Sequence, residues 1–443
     1  MVCFLIYDYL AITSLGFAFT FYIFFLFLQK LGKEIPIKEF FLLIASFQWI
    51  VGAKIAYNLG KVHYKYYMYV SENEYMLYVV PGVLLFYIGM NLVKLNLGFQ
   101  PINRIFSNHK QRAIFIAVIL IFIGLISFFA NRYFAISGLG FLLFLSTILL
   151  YVGLIYLIKA IPRRKNLIFF STVLFVFTFS VSDGLFHNLI IISSFLLFFI
   201  FNHESRLRSK ITLVVFGFLS MYIIQTIKGE FRQIIWEGAQ NKNPVEAFAF
   251  VLQEEFAPSD PVQYTVNLKG NKELEEQATM NTRLNQGWII SKVMDNVPKN
   301  QEFLEGETIL EAFEASLLPR FLFPNKKGAT DAIDNFRKIT GIDITRGTSM
   351  GLSIIGEFYA NFGVIGGWLA MFIYGFSLTF FIKLFCNIYS PVILLWLILF
   401  FFQVVKAETE LLKVLNHLFK SIFFFIIFQF VMKVLGVNVL LND

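Results

Sequence analysis

Eleven stretches of this chain are apolar over a length that crosses, or nearly crosses, ~30 Å of hydrocarbon at a helical rise of ~1.5 Å per residue. They lie near residues 4–28, 39–57, 76–97, 113–130, 134–158, 166–182, 185–201, 211–227, 350–382, 390–405 and 416–436. A water-soluble chain of 443 residues that is 57% hydrophobic and 15% charged would aggregate. The sequence therefore reads as an all-α polytopic membrane protein with about 11 transmembrane helices. Its opening, MVCFLIYDYLAITSLGFAFTFYIFFLFLQK, lacks a cationic leader and a small-residue cleavage site, so it is expected to be the first span rather than a signal peptide. The sixth and seventh runs are short, and SVSDGLFHN between them predicts a tight turn at one membrane face. No internal repeat supports a duplicated transporter fold.

Orientation follows from Lys and Arg in the short loops. KLGKEIPIKE, KLNLGFQPINRIFSNHKQR, KAIPRRK and NHESRLRSK, after spans one, three, five and seven, carry fourteen basic residues; the loops after spans two, four and six hold about four. The basic set is expected inside, the N-terminus outside and the C-terminus inside. Cys3 and Cys386 then fall on opposite faces, so no disulfide is expected.

Residues 228–348 break the pattern. They contain no plausible span and hold eighteen Asp and Glu against fourteen Lys and Arg, a net of −4 in a chain whose total is +8. The expected organisation is spans one to eight in 1–227, a large external, mainly helical domain in 228–348 and spans nine to eleven in 349–443. Within that domain GETILEAFEASLLPRF places Ile309, Leu310, Phe313, Leu317 and Phe321 on one face of an amphipathic helix resting on the bundle.

Ionisable residues in or beside the spans gather at one level. Asp8, Lys54, Asp183, His187, Lys228 and Glu357 all fall in the external half, whereas Glu34, Glu39 and Glu204 are nearly alone opposite. Such one-sidedness predicts a water-filled cavity opening outward. Glu357 lies in IIGEFYANFGVIGG, where Ser349, Ser353, Glu357 and Asn361 recur every four residues as a polar stripe. Thr348 or Ser349 would cap this helix beside Arg346, and Gly356, Gly363 and Gly367 would admit close neighbours. Two readings of Glu357 stand side by side: a functional carboxylate, or a buried bridge to a basic partner such as Lys54 or Lys228.

Arginines recur in distinctive settings: KGEFRQIIW (Arg232), NTRLNQGW (Arg283), LLPRFLFPNKKG (Arg320, with Lys326 and Lys327) and ITRGTSMG (Arg346). Guanidinium forks bind phosphate oxygens bidentately, so a converging set would suit a pyrophosphate. There is no Walker loop, dinucleotide fingerprint, Cys/His metal spacing, DxD pair or nucleic-acid module, so no cofactor, metal or nucleic-acid partner is expected.

LLPRFLFPNKKG followed by TSMGLSIIGEFYANFGVIGGWLAMFIYG resembles the oligosaccharide repeat-unit polymerases, the O-antigen polymerases, which are related to the O-antigen ligases. KGEFR and RLNQG are similar to further segments of that family. The sharp motifs occupy 228–375, while the order of spans and the late external loop match over most of the chain. The resemblance implies a GT-C-like membrane glycosyltransferase in a bacterial inner membrane, its site facing the periplasm or exterior. It would transfer a growing glycan from polyprenyl pyrophosphate to a new lipid-linked repeat unit. A chain-length regulator and a flippase are further partners it leaves room for. Arg232, Arg283, Arg320, Arg346 and Lys326 would hold the pyrophosphate, with Arg283 and Arg320 also among the catalytic candidates. Glu357 would orient or deprotonate the acceptor hydroxyl. Asn285, Tyr359 and Asn361 would be accessory. Asp183 and His187 stand in the turn where relatives carry an arginine. A transporter or flippase of lipid-linked oligosaccharide, and a ligase, are the alternatives.

Overall fold

The computed structural model describes residues 10–60, 66–134, 139–237, 243–256, 285–318, 332–344 and 350–441. Apart from an isolated bridge between Glu34 and Gly98, every regular element among them is helical. In chain order these are α1 (Ala11–Lys30), α2 (Ile37–Leu59), α3 (Glu72–Leu92), α4 (Phe99–Asn108), α5 (Lys110–Tyr133), α6 (Gly140–Ala160), α7 (Lys165–Asp183), α8 (His187–Ile200), α9 (Leu207–Glu237), α10 (Pro244–Phe256), α11 (Gly287–Asn296), α12 (Glu307–Leu317), α13 (Ala332–Thr340), α14 (Ile354–Ile388), α15 (Pro391–Phe401) and α16 (Leu411–Val434). Nine segments among the described residues are long and apolar enough to cross a membrane, and α8 and α15 are shorter apolar helices. The chain is an all-helical polytopic membrane protein.

The helices form two compact units. One comprises Met1–Phe27, Pro36–Leu97 and Asn281–Asn442; the other comprises Leu28–Ile35 and Gly98–Met280, with Asp443. The described helices of the long polar segment fall in both, α10 in the second unit and α11 to α13 in the first.

In the first unit α14 packs along α3, and glycine sets their separation. A methyl on Gly89 would collide with the Phe372 carbonyl, one on Gly375 with the Phe86 carbonyl, and one on Gly367 with the Tyr78 hydroxyl. Close backbone approach is how membrane helices gain packing energy where lipid offers no hydrophobic drive. Two polar ties fix the register: Tyr78 Oη donates to the Ile355 carbonyl at 2.7 Å, and Trp368 Nε1 donates to the Tyr78 carbonyl at 2.8 Å. Gly367 behaves as the sequence predicts, while Gly356 only meets Ile290 at ordinary contact distance.

The second unit is built around the α5–α6 hairpin, which is sealed the same way. Gly124 lies against the Leu150 backbone and Gly153 against the Ala117 carbonyl. The outward face of α5 carries Phe115, Val118, Phe122 and Ile126, all exposed, the apolar stripe of a lipid-facing helix.

Three expectations change. The helix carrying Glu357 starts at Ile354, not at residue 348 or 349, and Ser353 precedes it at φ +61 without a side-chain cap bond. Glu357 is therefore in the first turn of the helix. The helix also breaks at Gly363 (φ 66, ψ −158), leaving a short leg Ile354–Phe362 before the long one. Only glycine adopts that geometry at little cost. Second, the eighth span continues to Glu237, so KGEFR lies on α9 itself. Third, α12 forms but buries Thr308, Ala312 and Ala315, leaving Leu310, Phe313 and Leu317 exposed.

The glycine seam predicts a contrast. Gly89→Ala should destabilise the protein by about 1–3 kcal/mol, because the backbone must retreat. Gly217→Ala, on an open face of α9 with nothing within 4 Å, should be neutral or stabilising by up to ~1 kcal/mol. Thermal unfolding of both variants in one detergent checks this.

Candidate functional site

A buried carboxylate inside a membrane helix needs partners, and Glu357 has them. It is 2% exposed, and its Oε2 accepts the Leu411 backbone N–H at 2.7 Å. Leu411 is the first residue of α16, so the carboxylate caps a helix N-terminus whose dipole favours negative charge. Lys54, offered by the sequence as a possible partner, instead pairs with Glu72 at 2.7 Å, beside the Thr13 hydroxyl.

Asn361, one turn below Glu357, uses its whole amide. Its Nδ2 donates to Thr308 Oγ1 and to the Glu357 carbonyl, each at 2.8 Å, and its Oδ1 accepts Gly306 N–H at 3.1 Å. The carbonyls of Ala360 and Asn361, in the last turn before the Gly363 break, accept the N–H groups of Leu304 and Glu305 at 3.0 and 3.1 Å. The residues of GEFYANFG thus stitch three things together: the broken helix, the 304–308 segment and the start of α16. Glu410, just before α16, is buried beside this clip and pairs with Lys413 at 2.8 Å. Burial pushes its carboxyl above the usual range, partly offset by that ammonium. Tyr359 packs its ring 5.0 Å from Tyr78.

Asn285 lies elsewhere in the same unit. It is buried, with Nδ2 3.6 Å from Met68 Sδ, and the neighbouring Gln286 N–H donates to the Gln48 carbonyl at 3.2 Å. Gln48 sits in a π turn (Phe47–Val51), which releases carbonyls from the regular ladder.

The second unit holds the other cluster. α7 ends at Gly184 in the left-handed region (φ 64), with the Gly184 and Leu185 N–H groups returning to the Val181 and Ser180 carbonyls. This is the predicted tight turn, closed as a Schellman motif. Two arginines from different helices reach it. Arg132, at the end of α5, bonds Asp183 at 2.8–2.9 Å and Ser182 Oγ at 3.0 Å, with its guanidinium 5.1 Å from the Phe179 ring centroid. Arg232, on α9, donates Nε–H to the Gly184 carbonyl at 2.9 Å. Phe186, Phe231 and Phe248 pack mutually beside the turn, with centroids 5.6–6.1 Å apart. His187 opens α8 directly after it.

The structure thus brings Asp183, His187 and Arg232 to one turn, and Glu357 and Asn361 into one clip. Arg283, Arg320, Lys326 and Arg346 lie outside the described residues, as does Asp8. Sequence reasoning missed Arg132, whose place at the end of an apolar run looks like ordinary snorkelling. It also missed Thr308, a single hydroxyl in an acidic helix. Among the described residues, no three His, Cys, Asp or Glu side chains group as a metal site.

A family model described as a domain of unknown function (DUF8712) matches residues 6–441. The chain belongs to the DUF8712 family. No curated protein and no solved structure matches it. In this DUF8712 chain the match runs through both units, so the clip and the arginine turn both lie within the family's domain.

The clip predicts a graded response. Glu357→Gln keeps an acceptor for the Leu411 N–H and should cost about 1 kcal/mol or less of stability, the lost charge–dipole interaction. Glu357→Ala orphans that buried N–H and should cost about 1–3 kcal/mol. Unfolding midpoints of the two variants decide it; equal losses would show that the charge itself carries the stabilisation.

Proposed function

We propose that this protein is a GT-C-like polymerase of a bacterial surface polysaccharide, with about 11 spans in the inner membrane. It extends a glycan carried on polyprenyl pyrophosphate by transferring it to a new lipid-linked repeat unit at the outer face. The observation that carries the reading is the meeting of Arg132 and Arg232 at the Asp183–Gly184 turn, with KGEFR supplying one of the pair. Two guanidinium groups held from separate helices are suited to a diphosphate, which accepts bidentate, charge-assisted bonds. Both groups are oriented before a ligand arrives, Arg132 by Asp183 and Ser182 and Arg232 by a carbonyl. Preorganised donors of this type act on charge that grows as the bond to the leaving group breaks.

In the reaction an acceptor hydroxyl oxygen attacks the anomeric carbon of the donor glycan. The bond from that carbon to the pyrophosphate oxygen breaks, the pyrophosphate leaves with the electron pair, and the hydroxyl proton passes to a base. Arg132 and Arg232 offset the charge on the leaving group. Glu357 is best read as a positioning residue. Its carboxylate is engaged by the Leu411 N–H, so its bond serves the placement of α16.

Purified protein in nanodiscs should lengthen a lipid-pyrophosphate-linked repeat unit without added nucleotide sugar. Arg232→Ala should lower the rate about 10²–10³-fold, the usual loss for one such donor, with an unfolding midpoint close to that of the unaltered protein. Full activity in that variant would remove Arg232 from the site. Inert protein that moves the intact lipid between leaflets would favour a flippase instead.

A further inference from the structure

The α12 helix presents three distinct faces. Thr308, Ala312 and Ala315 are buried, and α12 packs against α16, a membrane-span candidate. Small residues at a helix contact are the means by which membrane helices approach closely. Glu307, Glu311 and Glu314 form the next face; Glu307 pairs with Lys338 at 2.7 Å and Glu311 accepts from Asn335 Nδ2 at 3.0 Å, both partners on α13. At 100° per residue, Leu310, Phe313 and Leu317 lie opposite the small-residue face. They are 62, 42 and 56% exposed.

A helix in water would turn these faces the other way, burying Leu and Phe and exposing Ala and Thr. The inverted arrangement makes sense if the surroundings are themselves apolar. The exposed face is also continuous with a span. Phe303 and Phe362 are part-exposed beside the α12 start, where a methyl on Gly306 would meet the Phe362 ring at 3.5 Å. Beyond Gly363, Ile365 is 79% exposed on the outward side of α14. The 304–308 segment is fixed to α14 by the bonds to Ala360 and Asn361, so α12 leaves directly from the side of a membrane helix.

We propose that α12 is embedded in the bilayer, with Leu310, Phe313 and Leu317 against lipid acyl chains, its alanine face against α16, and its carboxylates at the polar boundary toward α13. Eleven residues span ~16 Å, about half the hydrocarbon thickness, so α12 enters one leaflet and does not cross. The inference concerns the bilayer itself and holds whether or not the protein is a polymerase.

The test uses the unaltered full-length protein in nanodiscs containing phospholipids with a diazirine on the acyl chain, irradiated and mapped by mass spectrometry. Adducts are expected on Leu310, Phe313 and Leu317 at the level found on Ile365, and not on Thr308, Ala312 or Ala315. Labelling of Ile365 with none on the three α12 residues overturns the proposal. As a second readout, nitroxides at positions 310, 313, 317 and 314 in a cysteine-free background should collide more with oxygen than with a water-soluble nickel chelate at the first three, and the reverse at 314. Nickel access at all four positions, or access by neither reagent at 310, 313 and 317, also overturns it.

Discussion

The hydrogen bond from the Leu411 N–H to Glu357 anchors one end of the first unit's polar core. A helix broken inside a membrane releases backbone groups that lipid cannot satisfy. Here the break at Gly363 is matched by the 304–308 segment, whose backbone supplies donors to Ala360 and Asn361, and by the Asn361 amide. Glu357 then joins this patch to the N-terminus of α16, where a negative charge is favoured. Removing any one member leaves another buried group without a partner, so the elements hold one another in place.

This explains why the GEFYANFG segment concentrates an acid, an amide and glycine in otherwise apolar sequence. The glycine at 363 makes the break, the amide closes it and the acid receives the last helix. Reactive chemistry is better sought where charge is held at a turn rather than sealed in a core. The Asp183–Gly184 turn has that character, with side-chain exposure of 23% for Arg132 and 40% for Asp183.

Much of the helical plan was legible in the sequence, because length and hydropathy alone decide which segments can cross hydrocarbon. The α7–α8 turn was legible from Gly184 following SVSD, a left-handed stop that only glycine favours. Other features depended on information that local sequence does not carry. Thr348 and Ser349 are good caps in isolation, whereas the helix begins at Ile354 behind a strained Ser353. A sequence shows lysine charge but not a distant helix N-terminus, so the Leu411 N–H that Glu357 accepts has no local signature. The face that α12 buries is the reverse of its amphipathic pattern, which assumes water outside. Arg132, a lone cation at a helix end, has no signature until the turn it meets is known.

The most direct test of the functional account is a cryo-electron microscopy map of the full-length protein in nanodiscs with polyprenyl pyrophosphate. The account predicts diphosphate density at the Asp183–Gly184 turn, within hydrogen-bond reach of the Arg132 and Arg232 guanidinium groups. Ordered diphosphate bound elsewhere, with that turn unchanged and empty, would contradict it.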